Sequence, residues 1–175
     1  MKRSLALTAA VVAAGTLAIG ASADTRPTAR VAAAKAITPE RVGQVHLGDT
    51  HADLRASGLV GVLKPGCELS GPNVRSARLL PPLKGFVDYT QTNPRKVRRI
   101  IVRDGAKARG VGIGATIAQI KNKFPKAKVD HSTEDLFGIT LVRVPKNGGG
   151  KLQFSVRVSN GKTNAIGVPA IPFCE

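Results

Sequence analysis

Tryptophan is absent from this 175-residue chain, tyrosine occurs once and phenylalanine five times. Proteins that hold single-stranded nucleic acid add aromatic stacking platforms to a basic groove, so no specific nucleic-acid site is expected here. Acidic residues are also scarce, 11 against 27 lysines and arginines, which leaves a net charge of +16. There are only two cysteines, Cys67 and Cys174, so the chain has at most one disulfide of its own. A Gly-x-Ser-x-Gly elbow, a Gly-x-x-x-x-Gly-Lys-Ser/Thr loop and a His-Glu-x-x-His helix are all missing, and each is the local signature of a particular catalytic chemistry. The chain therefore reads as non-enzymatic, with no cofactor.

The one long apolar run, "LALTAAVVAAGTLAIG", follows Lys2 and Arg3 and is followed by "ASA". A basic start, an apolar middle and a small-residue end make up a secretory signal peptide, so cleavage is expected after Ala23, ahead of the alternative that the run is retained as an uncleaved membrane anchor. No cysteine lies near that cut to carry a lipid, and no transmembrane span is expected in the mature chain. Export removes Lys2 and Arg3 and leaves 25 basic residues against 11 acidic ones, or +14. Such a field favours anionic partners: phospholipid headgroups, wall polymers, nucleic acid or an acidic protein face. An exported chain with one cysteine pair ordinarily oxidises it. Closing the loop from Cys67 to Cys174 is worth roughly 4 to 5 kcal/mol by chain entropy before native strain is subtracted.

"HLGDTHADL", His46 to Leu54, places two histidines among two aspartates. A metal-dependent enzyme built on His46, Asp49, His51 and Asp53 is one reading, but an internal repeat weakens it. "VHLGDTHADLR" from Val45 aligns with "VGIGATIAQIK" from Val111, an offset of 66. The four candidate ligands become Gly112, Ala115, Ile117 and Gln119, while Gly48 and Thr50 persist as Gly114 and Thr116. Thr50 with Asp53, and Thr116 with Gln119, have the spacing of a capping box, in which hydroxyl and third side chain satisfy each other's backbone N–H groups. Each site is read as a helix start. Ile117, Ile120 and Phe124 then share one apolar stripe, and His51 is read as a structural residue at the edge of the equivalent stripe.

The same offset sets "KVRRIIV" on "KTNAIGV", and "FVDYTQTN" meets "LQFSVRVSN" within one residue of it. Period-two alternation, as in Leu152, Phe154, Val156 and Val158, describes strands with one wet face. "NVRSARLL" and "FGITLVRV" add a further pair, and "NGGGK" between strands reads as a hairpin turn. The expected fold is α+β: two tandem units, each a helix followed by about three antiparallel strands, forming one extended antiparallel sheet with the helices on one face. The boundaries are 1–23 for the signal peptide, 24–37 for a loose basic segment, 38–104 for the first unit and 105–175 for the second.

A Gly-x-Thr helix start, an apolar helix and a small antiparallel sheet resemble the BamE (SmpA/OmlA) assembly-lipoprotein fold, and the tandem doubling is similar to β-lactamase inhibitory proteins. "ITPERVGQVHLGDTHADLR", "VGIGATIAQIKNKFPKA" and the final "PFCE" resemble small secreted actinobacterial proteins of unassigned function. The chain departs from the lipoproteins in lacking a lipidated cysteine, and from the inhibitors in that its cysteine pair links the two units. The resemblance implies a fold and a binding style with no named target.

The expected function is thus a secreted, non-catalytic module that binds a protein through its exposed sheet face or loops. The alternative is a polyanion or envelope-surface binder. Its candidate surface is the run of Arg95, Lys96, Arg98, Arg99, Arg103, Lys107 and Arg109, with Asp104 the one acidic residue among them. Intact mass before and after reduction and alkylation tests the redox expectation. No alkylation is expected until reductant is added, whereas two alkylated thiols without reductant would refute the bond.

Overall fold

The computed structural model describes residues 35–68, 71–145 and 151–173. The signal segment 1–23, most of the basic segment 24–37, the "NGGG" stretch and Cys174 lie outside the described residues. Among the described residues the regular structure is mostly one antiparallel β-sheet, with a few short helices. A two-residue ladder, β1 (Arg41–Val42) with β2 (Val45–His46), comes first, followed by helix α1 (His51–Ala56). Four strands succeed it: β3 (Val60–Pro65), β4 (Arg75–Leu79), β5 (Lys84–Tyr89) and β6 (Val97–Asp104). Helix α2 (Ile117–Lys123), β7 (Lys128–Asp130), the single-turn α3 (Glu134–Phe137), β8 (Ile139–Pro145), β9 (Lys151–Arg157) and β10 (Thr163–Val168) complete the chain. Strand order is β3-β4-β5-β6-β10-β9-β8-β7, eight strands in one sheet. Among the described residues no helix is long and apolar enough to cross a membrane.

Four strands follow each of α1 and α2, where sequence periodicity gave about three. The additional ones are β3 and β7, both at the sheet edges. Each escapes a period-two reading for a local reason: β3 carries a register shift between Val60 and Leu63, and β7 is only three residues long.

The offset of 66 recurs in the hydrogen bonds. Gly48 N donates to Val97 O and Val97 N to Asp49 O, at 2.9 and 2.8 Å; Gly114 N donates to Thr163 O and Thr163 N to Ala115 O, both at 2.8 Å. Gly48 and Gly114 hold φ of 92° and 85°, left-handed values that glycine adopts without a Cβ penalty. The chain thereby turns from a bond to the sheet straight into a helix cap. At the centre, β6 and β10 pair Ile100 with Val168, Ile101 with Gly167 and Val102 with Ile166. Shifted by 66, Ile100 becomes Ile166 and Val102 becomes Val168, so the ladder reads the same from either side. Lys35 to Ile37, the end of the segment read as loose, bonds the loops of both halves: Lys107 N donates to Lys35 O, Ile37 N to Lys107 O and Gly43 N to Ala36 O.

Leu54 of α1 and Ile120 of α2 join one buried cluster with Leu79, Val87, Tyr89, Ile100, Val102, Phe154 and Ile166. Alternation along each strand puts those strand residues on one face. The opposite face differs from expectation, because its centre is not wet. Asp88, Ile101, Leu141, Ser155 and Ala165 are buried there. Residues 169–173 double back over this face, where Ile171 N donates to Gln153 Oε1 at 2.7 Å. A Cβ at Gly167 would lie 2.6 Å from Ile171 Cγ1 and 2.7 Å from the Ala170 carbonyl. Gln153, a strand position that alternates as a solvent-facing polar residue, is thus used to seat residues 169–173, and Ser155, two positions on, is buried.

Gly167→Ala should destabilise the protein by about 1 to 3 kcal/mol, the usual cost of overpacking. Urea unfolding measures it, and a neutral result would mean that 169–173 do not sit on Gly167.

Candidate functional site

The seven-residue basic run does not form one surface. Arg95 half-buries its guanidinium and donates to Asn73 O at 2.8 Å and Thr90 O at 2.9 Å, tying two loops together. Lys96 is exposed beside it. Val97 opposes Tyr89 while Arg99 opposes Asp88, so Arg98 is an extra residue at a bulge. Arg99 and Arg103 share the second face, with the Arg103 guanidinium 5.9 Å from the Phe86 ring centroid. Lys107 and Arg109 belong to the loop before α2, where Arg109 stands 5.4 Å over the Phe124 ring. Strand alternation and the bulge scatter charges that are contiguous in sequence.

Arg99 is also neutralised. Its Nη2 lies 3.1 Å from Asp88 Oδ2, and the Asp88 side chain is 1% exposed. Ser76 Oγ donates to Asp88 Oδ1 at 2.5 Å. The three residues are laddered across β4, β5 and β6. Burial pushes the Arg99 guanidinium down, and the Asp88 carboxylate opposes that shift. Sequence reading missed this network, although its signal was present: aspartate is depleted in strands, and one placed mid-strand needs a partner.

The residues of "HLGDTHADL" are each engaged locally. His46 N donates to Asp49 Oδ2 at 2.7 Å. His51 Nε2 lies 3.2 Å from Gly61 O, a contact it makes only as a donor. Its ring meets Tyr89 edge-on at 5.3 Å. The buried Tyr89 hydroxyl is pushed up to about 12, first by desolvation and then by Asp49, and stays protonated. Among the described residues no group of three or more His, Cys, Asp or Glu side chains is arranged to hold a metal ion.

At the second helix the capping box is complete: Gln119 N donates to Thr116 Oγ1 at 3.3 Å and Thr116 N to Gln119 Oε1 at 2.9 Å. At the first, Asp53 N donates to Thr50 Oγ1 at 3.2 Å, but Asp53 Oδ2 accepts a hydrogen bond from the Thr50 hydroxyl at 2.6 Å in place of one from the backbone N–H. Aspartate is one methylene shorter than the Glu or Gln of a full box, and a hydroxyl can accept and donate at once.

Exposed apolar side chains gather at α3 and the β9–β10 turn. Leu136 is 80% exposed, Val158 53% and Phe137 39%. Val158 N donates to Gly138 O at 2.9 Å, and Phe137 stacks on Phe173 with centroids 4.7 Å apart. The support under this patch is polar. Thr140 Oγ1 and His131 Nδ1 both bond Glu134 Oε1, and these bonds, Thr140's first, hold the Glu134 carboxyl below its ordinary range. Asp130 is likewise held down, by Ser132 first and also by Arg143. Phe173, through its carbonyl, is also 3.9 Å from Cys67 Sγ. Among the described residues no cysteine is free.

Replacing Asp88 by Ala leaves a mostly buried guanidinium without its carboxylate, and should cost about 3 kcal/mol in urea unfolding. A change below the scatter of surface substitutions would show that Arg99 reaches water instead.

Comparison with known proteins found no family model that matches this chain and no significant match among curated proteins or solved structures.

Proposed function

We propose that this chain is an exported, non-catalytic binding protein, a duplicated BamE-like helix-and-strands unit that holds a protein partner through loops at one end of its sheet. The observation that carries this reading is that Leu136 and Phe137 of α3, and Val158 on the segment bonded to Gly138 just after it, are large apolar side chains left exposed. Clustered apolar exposure rimmed by polar residues is a feature of protein interaction sites. The patch is also held in a defined geometry by the bonds to Glu134 and Gly138, which lowers the ordering cost of binding. Loops are favoured over the sheet face, because residues 169–173 already lie on that face.

Cleavage after Ala23 and a Cys67–Cys174 bond belong to the same proposal. The carbonyl of Phe173, the residue before Cys174, lies beside Cys67, and such a bond would tie the stretch after the central strand β10 to the stretch after the edge strand β3. The duplication is supported by hydrogen bonds that recur 66 residues apart and by the self-matching β6–β10 ladder.

A second reading, an envelope-surface or polyanion binder, is supported by the net charge of +14 that remains once Lys2 and Arg3 are removed with the signal segment. Its mark would be affinity for anionic liposomes that falls steeply with salt.

A pull-down from the organism's own secretome and envelope tests the main reading. The wild-type protein should enrich a protein that the double substitution Leu136→Glu with Val158→Glu loses, while both proteins unfold at the same urea concentration. No enrichment, or enrichment equal for the two, contradicts it.

A further inference from the structure

A cavity of about 630 Å³ opens on the helix side of the molecule, between Ile37, Phe124, Val144 and Leu152, with Arg109 and Lys126 at its mouth. That volume is typical of small-molecule sites, which pair mostly apolar walls with a few placed polar groups. Ile37, Phe124 and Leu152 are core residues whose edges form the walls. Arg109 and Lys126 are exposed, and among the described residues neither forms an ion pair. On the other side of Arg109 a second cavity of about 690 Å³ adds Lys35 and Lys107. Its one acid, Asp104, is held by Lys84 Nζ at 3.2 Å.

Arg109 itself departs from local backbone chemistry. Ala108 and Val111 exchange two backbone hydrogen bonds of 2.8 and 2.9 Å, and the turn between them has φ of 48° at Arg109 and 83° at Gly110. Tight turns with both central residues in left-handed conformations prefer Asn-Gly, Asp-Gly or Gly-Gly. Sixty-six residues earlier the equivalent position, between the paired Val42 and Val45, is Gly43 with φ of 58°. Glycine thus satisfies the same turn position in the first half, and arginine in the second occupies it against steric preference. Backbone strain of this kind concentrates at functional sites, and here it places a guanidinium at the mouth of an apolar cavity.

We propose that this cavity binds an anionic amphiphile, an alkyl chain ending in a carboxylate, with the chain against Ile37, Phe124 and Leu152 and the head on Arg109 and Lys126. The site is independent of the Leu136 patch and of any protein partner. It commits the excess positive charge to one monoanion with an apolar tail, in contrast to an extended polyanion.

Decanoate titrated into the purified protein, followed by two-dimensional NMR and calorimetry, tests this. Saturable binding should shift the signals of Phe124 and Leu152, while decanol and inorganic phosphate bind at least tenfold more weakly. Arg109→Gly should weaken decanoate binding at least tenfold without lowering Tm, since glycine suits the turn; Arg109→Lys should retain most of the affinity. Absence of saturable decanoate binding overturns the proposal, as does equal binding of decanol. Undiminished affinity in Arg109→Gly also overturns it, and would leave Arg109 as a side chain stacked on Phe124 for stability alone. Binding to phosphatidylglycerol vesicles without binding to free decanoate assigns the charge to a membrane surface and likewise overturns it.

Discussion

The pairing of β6 with β10 is the constraint on which the rest of the molecule depends. Each half of the sheet has only four strands, one of them an edge strand with an irregular register or three residues of length. A short sheet covered by a helix of six or seven residues buries little apolar surface alone. Joined through Ile100 to Val102 and Ile166 to Val168, the halves share one continuous hydrophobic cluster, with Leu54 and Ile120 packed into it from the two helices. The joint has the logic of a two-fold interface, in which the same strand meets its own equivalent. It removes two exposed strand edges from the centre of the sheet.

Sequence symmetry breaks at that same joint. Where one half has Ile101, the other has Gly167, and the missing side chain is the space into which Ala170 and Ile171 fold. One half therefore continues from β6 into the connection to α2, while the other turns its end back across the second face. The buried Ser76, Asp88 and Arg99 network lies on that same face. A face that alternation alone describes as wet becomes a small second core, which is why the proposed binding is placed on the sheet's loops and on the cavity beside α2.

The legible part of the fold was whatever repeats. The offset of 66 located both helix starts, the correspondence of strand β5 with β9 and of β6 with β10, and the loss of every candidate metal ligand in the second copy. Edge strands were not legible, since β3 is bulged and β7 is too short for alternation to register. Nor was the destination of 169–173, because seating on Gly167 is a contact between faces and leaves no periodic trace in sequence. Among candidate site residues, the basic run was legible as composition only. A bulge at Arg98 and a buried partner for Arg99 decide which of those charges meet solvent, and both depend on strand register. The Leu136 patch carried no sequence signal beyond two apolar residues in a single turn of helix, which a core-facing helix would show equally well.

Native-state hydrogen exchange tests the shared-sheet account most directly. Amides that bond across the β6–β10 joint, and those of the strands flanking it on both sides, should exchange with one common free energy equal to that of global unfolding. Two distinct free energies, one for β3 to β6 and another for β7 to β10, would show that the halves open independently and would contradict it.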